Sequence, residues 1–249
     1  MLLKDKVAII TGAARGMGQH YALRFAEEGA RQTVCDVLDC SKTAEEIKKL
    51  SGDVLALKTD VSNEADTDNL AKRTIERFGR IDILVNNAAI YGGMKLKPFH
   101  EITVEEWDKM MQVNLRGIWL CCKAVFPYMK KQGKGKIINV SSATFFKGLP
   151  NMLHYVTSKG GVVGITRALA RELGQYNINV NAIAPGLTMT EASCGLSSEE
   201  RTRKSVEQQS FNRPQMPKDL LGAMVFLASD QSDFVTGQTM VIDGGTYMH

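Results

Sequence analysis

Short apolar runs rich in β-branched residues recur along the chain and alternate with longer stretches of helical periodicity. The runs are apolar throughout, a pattern typical of parallel strands that are covered on both faces. Alternating strands and helices predict right-handed crossovers and a doubly wound parallel sheet with helices on both faces, an α/β fold. We predict seven strands, at residues 7–11, 32–35, 54–57, 81–85, 137–140, 180–184 and 240–242, and a first helix at 16–28.

One segment interrupts this alternation. Residues 188–217 are polar and lack a strand pattern, and they follow the sixth predicted strand. Open α/β sheets bind ligands beyond the carboxyl ends of their strands, so we predict a substrate lid with short helices here. A disordered surface insertion is the alternative. We find no repeat or linker elsewhere, and residues 1–249 are expected to form a single dinucleotide-binding catalytic domain.

Composition narrows the possible partners. The net charge is +4 and no dense Lys/Arg run occurs, so we expect neither nucleic acid nor membrane as a partner. The first residues lack the apolar core of a signal peptide, and the five cysteines are odd in number without CxxC spacing, which favours reduced thiols in the cytoplasm. No metal-ligand spacing is present, and we expect no metal.

A glycine-rich loop follows the first predicted strand. The sequence TGAARGMG at 11–18 runs from that strand into the first helix. Glycines allow a tight turn and close approach of a pyrophosphate, while the helix N-terminus supplies free N–H groups and the positive end of the dipole. In this βαβ context the loop predicts a Rossmann-type dinucleotide site.

Asp36 ends the second predicted strand and bears on which dinucleotide binds. A carboxylate at this place can accept hydrogen bonds from both adenosine ribose hydroxyls, and it would repel a 2′-phosphate. We therefore predict NAD rather than NADP. Arg15 in the loop is the counter-argument, since a basic side chain could meet a 2′-phosphate.

A tyrosine and a lysine lie four residues apart, Tyr155 and Lys159, and so share one face of a helix. An ammonium beside a phenol stabilises the phenolate, which predicts a base for moving a proton on or off an alcohol. Other polar residues sit where predicted strands end: Asp60, Asn87 and Ser142.

These motifs together resemble the short-chain dehydrogenase/reductase family over nearly the whole chain. In order, they are the TGxxxGxG loop, Asp60-Val61, the NNA run at 86–88, Asn114, Ser142, YxxxK at Tyr155, and Pro185-Gly186. One position departs from the family, because Ala89 follows NNA where glycine is usual. Segments 144–152 and 243–249 are most similar to bacterial NAD-dependent dehydrogenases of 1-arylethanols.

The resemblance implies four catalytic residues. Tyr155 would be the general base in oxidation, with its pKa lowered by Lys159 and by the oxidised nicotinamide, and Ser142 would polarise the substrate oxygen. Lys159 would also bond the nicotinamide ribose, and Asn114 would hold a water on the proton path. The cofactor contacts are then expected at Gly12, Arg15, Gly16, Met17, Gly18, Asp36, Asp60, Val61, Asn87, Tyr155, Lys159, Pro185, Gly186 and Thr188.

The expected substrate pocket is apolar and aromatic, which suits a hydrophobic small-molecule alcohol or ketone. No arginine is expected at a pocket position, which argues against acidic substrates. The predicted pocket residues are Tyr91, Thr144, Phe145, Leu149, Met152, Leu187 and Met189.

Three other functions stay open. The same framework serves an NADPH-dependent 3-oxoacyl carrier-protein reductase, which Asp36 disfavours, and a pyridoxal 4-dehydrogenase shows a similar segment before its YxxxK. A non-catalytic, dinucleotide-sensing relative is an alternative of another class. The family resemblance also implies a homotetramer built on the long helices that carry Asn114 and Tyr155.

Overall fold

Seven parallel strands form one sheet in the computed structural model, which describes residues 1–50, 52–194 and 198–248. The predicted doubly wound parallel sheet is therefore confirmed, with the strand order β3-β2-β1-β4-β5-β6-β7. The strands are β1 (Val7–Thr11), β2 (Arg31–Asp36), β3 (Val54–Lys58), β4 (Ile83–Asn86), β5 (Gly135–Val140), β6 (Ile178–Pro185) and β7 (Thr239–Ile242).

Helices connect the strands and cover both faces of the sheet. They are α1 (Gly16–Glu27), α2 (Ser41–Lys49), α3 (Glu64–Phe78), α4 (Val104–Met111), α5 (Gly117–Gln132), α6 (Ala143–Lys147), α7 (Leu153–Leu173), α8 (Glu191–Cys194), α9 (Glu199–Glu207) and α10 (Lys218–Ala228). Short 3₁₀ turns lie at Phe99–Glu101, Gly174–Tyr176 and Asp230–Ser232.

Successive residues of a strand face opposite layers, so each strand contributes to two cores. Ile10 of β1 packs in the core that contains Phe25 of α1 and Met224 of α10. Its neighbour Ile9 packs on the other side with Leu70 of α3 and Val162 of α7. Burial on both faces explains why the strands are apolar without alternation.

The long helix that carries Asn114 is continuous but not uniform. α4 begins with a capping box between Thr103 and Glu106. It continues through a π-helical turn at Gln112–Arg116 into α5, and Asn114 lies in the middle of that turn. π-Bulges are rare and concentrate at functional sites, so this local widening of the helix supports a functional role for Asn114.

The order of the strands reverses between β1 and β4, which are neighbours in the sheet although two strands separate them in the chain. The loops that leave β1 and β4 therefore run in opposite directions and open a crevice between them. This is the place at which the sequence predicts a dinucleotide.

The segment predicted as a lid contains two short helices, α8 and α9, and its ends are joined by a parallel bridge between Thr188 and Gln215. The predicted short helices are present, while residues 195–197 within the lid prediction lie outside the described residues.

Buried free thiols are found at Cys35, Cys40, Cys121 and Cys122. No described helix is both long and apolar enough to cross a membrane.

Candidate active site

A cleft of about 640 Å³ opens at the carboxyl ends of the central strands. The loops after β1, β2, β3, β4, β5 and β6 all contribute to its wall, and α9 lies along it. The cleft therefore spans the reversal point of the sheet and extends under the segment that follows β6.

The glycine loop is held against β4 by a dense set of backbone contacts. Gly12 has φ of +66°, and a Cβ there would lie 2.7 Å from Cα of Ala88. A Cβ at Gly18 would lie 2.1 Å from the carbonyl oxygen of Gly12. Only glycine allows both the left-handed turn and this packing of α1 against the loop.

Asn87 fixes the loop from the β4 side. Its Nδ2 donates to the carbonyl oxygens of Thr11 and Gly12, each at 3.0 Å. The Thr11 hydroxyl in turn accepts from the backbone N–H groups of Asn87 and Ala88 at 3.0 Å. These hydrogen bonds hold the loop after β1 against the loop after β4 at the base of the cleft.

The N-terminus of α1 is suited to an anion. Its N-cap residue, Arg15, makes no side-chain cap hydrogen bond within the described chain, and the first turn holds no acidic residue. By contrast, α3 and α4 are capped by Asn63 and Thr103. The open N–H groups and the dipole of α1 fit the pyrophosphate of a dinucleotide.

Asp36 lies in the cleft at the end of β2. One carboxylate oxygen accepts from the backbone N–H of Ala14 at 3.2 Å, and the other accepts from that of Leu38 at 3.1 Å. These bonds orient the carboxylate, which keeps further lone pairs for the hydroxyls of a ribose.

Tyr155 lies buried at the inner end of the cleft, with Ser142 beside it. Burial and the neighbouring Tyr91 raise the pKa of Tyr155, while a hydrogen bond with Ser142 opposes that rise. Ser142 lies two residues after β5 and caps α6 by accepting from the N–H of Thr144 at 3.2 Å. Its neighbour Ser141 instead donates to the carbonyl oxygen of Lys159, a structural bond inside the fold.

Lys159 is also buried, and desolvation lowers its pKa to about 8. Its ammonium donates to the carbonyl oxygen of Val140 at 2.7 Å and lies 5.7 Å from the centre of the Tyr155 ring. Burial is the largest influence on Tyr155 and raises its pKa. That Lys159 and the oxidised nicotinamide together lower this pKa stays a prediction for the cofactor-bound enzyme.

Asn114 is fully buried behind the cleft wall. Its Oδ1 accepts from the N–H of Ile90 at 2.7 Å, and its Nδ2 donates to the Ile90 carbonyl oxygen at 3.2 Å and to the hydroxyl of Ser158 at 3.3 Å. Asn114 thereby joins the loop after β4 to helix α7 one residue before Lys159.

The predicted cofactor residues come together in space, although they are spread over most of the chain. Gly18 lies under the glycine loop rather than in the cleft wall. The others line the cleft: Gly12, Arg15, Gly16, Met17, Asp36, Asp60, Val61, Asn87, Tyr155, Lys159, Pro185, Gly186 and Thr188.

The predicted substrate residues divide into two groups. Four line the cleft, namely Tyr91, Thr144, Leu149 and Leu187. Phe145, Met152 and Met189 lie outside the described cleft wall, and their contact with substrate stays a prediction.

Packing explains these exceptions. Phe145 covers Gly160 on α7, where an added Cβ would lie 2.8 Å from its ring. Met152 packs behind Tyr155 with Met94 and Met110. Met189 is held by a backbone bond to Gln215 at 2.8 Å, which belongs to the bridge that closes the segment after β6.

Several cleft residues were not anticipated from the sequence. Val37 and Leu38 follow Asp36 and are about half exposed, at 53% and 48%, which makes them an apolar surface beside the carboxylate. The expectation that no arginine lies in the pocket is also wrong, because Arg201 of α9 lines the cleft together with Lys204. The helical spacing of these two cations was the available signal.

The described residues contain no group of three or more His, Cys, Asp or Glu side chains able to hold a metal ion. The site is instead built from a buried phenol, a buried ammonium, a serine hydroxyl and an anion-binding loop. Such a set can hold a dinucleotide and move a proton to or from an alcohol oxygen.

Known proteins are similar to this chain over nearly its whole length. The family described as "Enoyl-(Acyl carrier protein) reductase" matches residues 12–247. The (2S)-[(R)-hydroxy(phenyl)methyl]succinyl-CoA dehydrogenase subunit BbsD of Thauera aromatica is 40% identical over 248 residues, covering 98% of each chain. The 3-oxoacyl-[acyl-carrier-protein] reductase FabG of Thermotoga maritima is 38% identical, covering 98% of this chain and 99% of its own. The structure of carveol dehydrogenase from Mycobacterium avium in complex with NAD superposes with a TM-score of 0.91, at 31% identity and 98% coverage of both chains.

Proposed function

Since this chain belongs to the short-chain dehydrogenase/reductase family, we propose that it transfers a hydride between NAD and a hydrophobic, aromatic secondary alcohol or its ketone. The reaction is of the type that converts a 1-arylethanol into an acetophenone. The observation that carries this proposal is the buried Tyr155 with Ser142 and the Lys159 ammonium beside it, in a cleft that also contains the anion-binding loop.

Tyr155 is the general base in oxidation and the general acid in reduction. Burial raises the pKa of Tyr155, so its phenol holds its proton in the free protein. Nearby positive charge is needed before the phenol can ionise and its phenolate can accept the proton of the alcohol. Lys159 supplies one such charge, and Ser142 donates a hydrogen bond to the oxygen of the substrate as its carbonyl develops.

Asn114 and Lys159 provide a route for the proton to leave. Asn114 holds the backbone of Ile90 and the hydroxyl of Ser158, which lies one residue from Lys159. We propose that this arrangement positions a water next to the Lys159 ammonium, through which the proton from Tyr155 reaches solvent.

The cofactor is NAD in this proposal. When bound, its nicotinamide accepts or donates the hydride. The residues that would hold it are the glycine loop at the α1 N-terminus, Asp36 at the adenosine ribose, and Lys159 and Thr188 nearer the reacting end. The Asp36 carboxylate supports NAD over NADP, since it would repel a 2′-phosphate.

The substrate pocket supports an apolar, aromatic skeleton. Tyr91, Leu149 and Leu187 line the cleft near Tyr155, and the ring centres of Tyr91 and Tyr155 lie 5.3 Å apart. The Thauera aromatica relative is named for a substrate with a hydroxy(phenyl)methyl group, a benzylic secondary alcohol, which supports the same class. The most specific form of the proposal is a 1-(4-hydroxyphenyl)ethanol dehydrogenase.

One alternative has a specific observation in its favour. The Thermotoga maritima relative is a 3-oxoacyl carrier-protein reductase at nearly the same identity as the dehydrogenase relative. Asp36 in the cleft disfavours the NADPH-dependent form of that activity. The non-catalytic alternative is disfavoured by the presence of both Tyr155 and Lys159.

The test is a panel of secondary alcohols and ketones, assayed with NAD and with NADP and scored for enantiomer. We expect turnover of 1-arylethanols with NAD. A clear preference for NADP would contradict the cofactor assignment, and turnover of 3-oxoacyl thioesters with no activity on 1-arylethanols would favour the alternative.

We also propose that the protein acts as a homotetramer in the cytoplasm. A shallow groove on the outer side of α4, α5 and α7 contains Leu115, Trp119 and Ile165, and Trp119 is 50% exposed. An exposed tryptophan in an apolar groove is the kind of surface that a second copy covers.

A further inference from the structure

Helix α6, which follows Ser142, is fixed to the protein by two aromatic side chains. Phe145 packs on Gly160 of α7, and the ring centres of Phe146 and Tyr247 lie 4.9 Å apart. Neither phenylalanine belongs to the described cleft wall. These contacts hold one side of the short helix and so set the orientation of the other.

The other side of α6 turns two polar side chains to the cleft. Thr144 and Lys147 both line it, and they are three residues apart, which places them on one helical face. A hydroxyl and an ammonium therefore lie side by side on the same wall.

The hydroxyl of Thr144 has no hydrogen-bond partner, although its Oγ1 atom is buried. The backbone N–H of the same residue donates to the Oγ atom of Ser142 at 3.2 Å, which holds Thr144 next to the catalytic serine. A buried hydroxyl left without a partner is costly, and a substrate oxygen that reached it would remove that cost.

Lys147 is partly buried, and its ammonium makes no hydrogen bond or ion pair with any residue that the structure describes. Desolvation lowers the pKa of this ammonium, and the negative charge of Asp243 opposes the fall. A ligand anion beside Lys147 would restore the interactions that burial takes from the ammonium.

The carboxylate of Asp243 is engaged with the backbone. It is 3% exposed and accepts hydrogen bonds from the N–H groups of Gly245, Thr246 and Tyr247, at 3.2, 3.1 and 3.0 Å. Asp243 also lies behind Gly186, where an added Cβ would be 2.9 Å from the Asp243 Cβ atom. It acts on the lysine from behind the cleft wall and leaves the ammonium free to contact a ligand.

The acidic residues within the described cleft wall are Asp36 and Asp60, and both are distant from α6. They follow β2 and β3, whereas α6 follows β5. Because β2 and β5 are three strands apart in the sheet, the ends of these strands are separated by about 14 Å. The described cleft wall therefore places no carboxylate beside the polar face of α6.

We propose that Lys147 and Thr144 bind a carboxylate of the substrate at the side of the cleft that α6 forms. This inference rests on the proposed function and narrows its substrate class to 1-arylethanols that carry an acidic substituent. One ammonium and one hydroxyl match the two oxygens of a carboxylate, and partial enclosure strengthens a charge-assisted hydrogen bond.

The expected substrate therefore has three parts. Its carbinol lies at Tyr155 and Ser142, its aromatic body lies along Leu149 and Leu187, and its carboxylate lies at the polar face of α6. Since Ser142 caps α6, the groups that would hold the carbinol and the carboxylate belong to one rigid segment.

The experiment compares alcohols that differ in charge but little in shape. The pairs are 4-(1-hydroxyethyl)benzoate with its benzamide, 3-(1-hydroxyethyl)benzoate with its benzamide, and the corresponding arylacetates with their arylacetamides, which vary the reach of the anion. For each pair the ratio of kcat/KM, acid over amide, is measured with NAD. Dissociation constants of the matching ketones, such as 4-acetylbenzoate and 4-acetylbenzamide, are measured in the presence of NAD, where no hydride can be transferred.

Variants connect that ratio to particular side chains. Lys147→Met removes the charge and keeps the length of the side chain, and Thr144→Val removes the hydroxyl and keeps its shape. Lys49→Met is the matched control, since Lys49 is exposed at the end of α2 as Lys147 lies at the end of α6. The affinity for NAD, measured for each variant, checks that the fold is retained.

We expect the wild-type ratio to exceed one in at least one pair, and Lys147→Met to lower it about ten- to a hundred-fold, as for the loss of a charge-assisted bond. Thr144→Val should lower the ratio by a smaller factor, about three- to tenfold, and Lys49→Met should leave it unchanged. Thr144→Val should also keep the thermal stability of the free protein, because its hydroxyl has no partner to lose.

The possible failures are distinguishable. If neutral 1-arylethanols are oxidised but no acid is preferred, or if Lys147→Met and Lys49→Met have equal effects, this inference is overturned and the proposed function stands. A lower Tm of Thr144→Val would show that the hydroxyl is bonded inside the protein and would remove it from the site. If none of the alcohols is oxidised with either cofactor, the proposed function fails, and equal binding of the acid and amide ketones would then overturn this inference as well.

Discussion

The ammonium of Lys159 donates a hydrogen bond of 2.7 Å to the carbonyl oxygen of Val140, the last residue of β5. The bond fixes the lysine between the sheet and α7 and keeps its charge inside the protein. Burial there lowers the pKa of Lys159 to about 8, so the site keeps a cation at a cost in folding free energy.

That cost gives a prediction about stability. The pKa of an unfolded lysine is about 10.4, so between pH 8 and 10.4 the unfolded chain binds more protons than the folded one. Wild-type stability should therefore rise through this window relative to Lys159→Met, by roughly 3 kcal/mol at most. Urea unfolding of both proteins at pH 7, 8, 9 and 10 measures the difference. Buried thiols such as Cys35 occur in both proteins and cancel, and parallel stability curves would contradict the buried charge.

Tyr155→Phe should remove the proton transfer while keeping the ring in place. We expect kcat for alcohol oxidation to fall by about 10²–10⁴ with NAD affinity little changed. Tyr176→Phe serves as the control, since the Tyr176 ring lies under the Lys130 ammonium and outside the described cleft wall. A Tyr155→Phe enzyme as active as wild type would exclude Tyr155 as the base.

The raised pKa of Tyr155 predicts the direction of the pH profile. Because kcat/KM reports groups of the free enzyme, oxidation should increase as pH rises from mildly acidic to alkaline values, where more of the phenol is ionised. Steady-state rates across this range test the expectation. A flat profile for the hydride step would argue for a different base.

Asp36→Asn should weaken the preference for NAD. The amide no longer repels a 2′-phosphate and accepts fewer hydrogen bonds from ribose, so the NAD/NADP ratio of kcat/KM should fall about tenfold or more. Asp39→Asn makes the same change of charge three residues away, where the carboxylate bonds Ser41. If both substitutions lowered the NAD/NADP ratio of kcat/KM equally, the effect would come from the loss of negative charge near the cleft and not from contacts of Asp36 with the ribose.

Trp119→Glu tests the proposed assembly. A charge in the groove on α4, α5 and α7 should be costly to bury, so sedimentation should show species smaller than the tetramer proposed for the wild type. Phe99→Glu, at another site that is 70% exposed, should not change the assembly. A wild-type protein that sediments as a monomer would refute the tetramer itself.

Local sequence patterns were sufficient to predict the strands, the glycine loop and the pair formed by Tyr155 and Lys159. Strands such as β1 are apolar on both faces because helices cover both faces, and this leaves an unambiguous trace in the sequence. Gly12 and Gly18 must be glycine because a Cβ at either position would clash with neighbouring backbone atoms. The strand and helix patterns and the glycine spacing are written within a few residues of the chain, so they can be recognised in the sequence, although Gly12 meets Ala88 only in the folded protein.

The wall of the substrate pocket was only partly predictable. Phe145 and Met152 belong to the apolar segment before Tyr155, yet one packs on Gly160 and the other behind the catalytic ring. Sequence alone does not say which side of a short helix or loop meets the cleft, because that depends on the neighbour that fills the other side.

By itself, the sequence determined the α/β fold, the family and the grouping of Tyr155, Lys159 and Ser142 with a dinucleotide loop. Only the tertiary structure decided that Asn114 lies in a π-helical turn and joins the loop after β4 to α7, and that Arg201 of α9 lines the cleft. The physical reason is distance along the chain. Backbone geometry and periodicity are local properties, whereas the burial that shifts a pKa and the charge that faces a substrate depend on segments brought together only by folding.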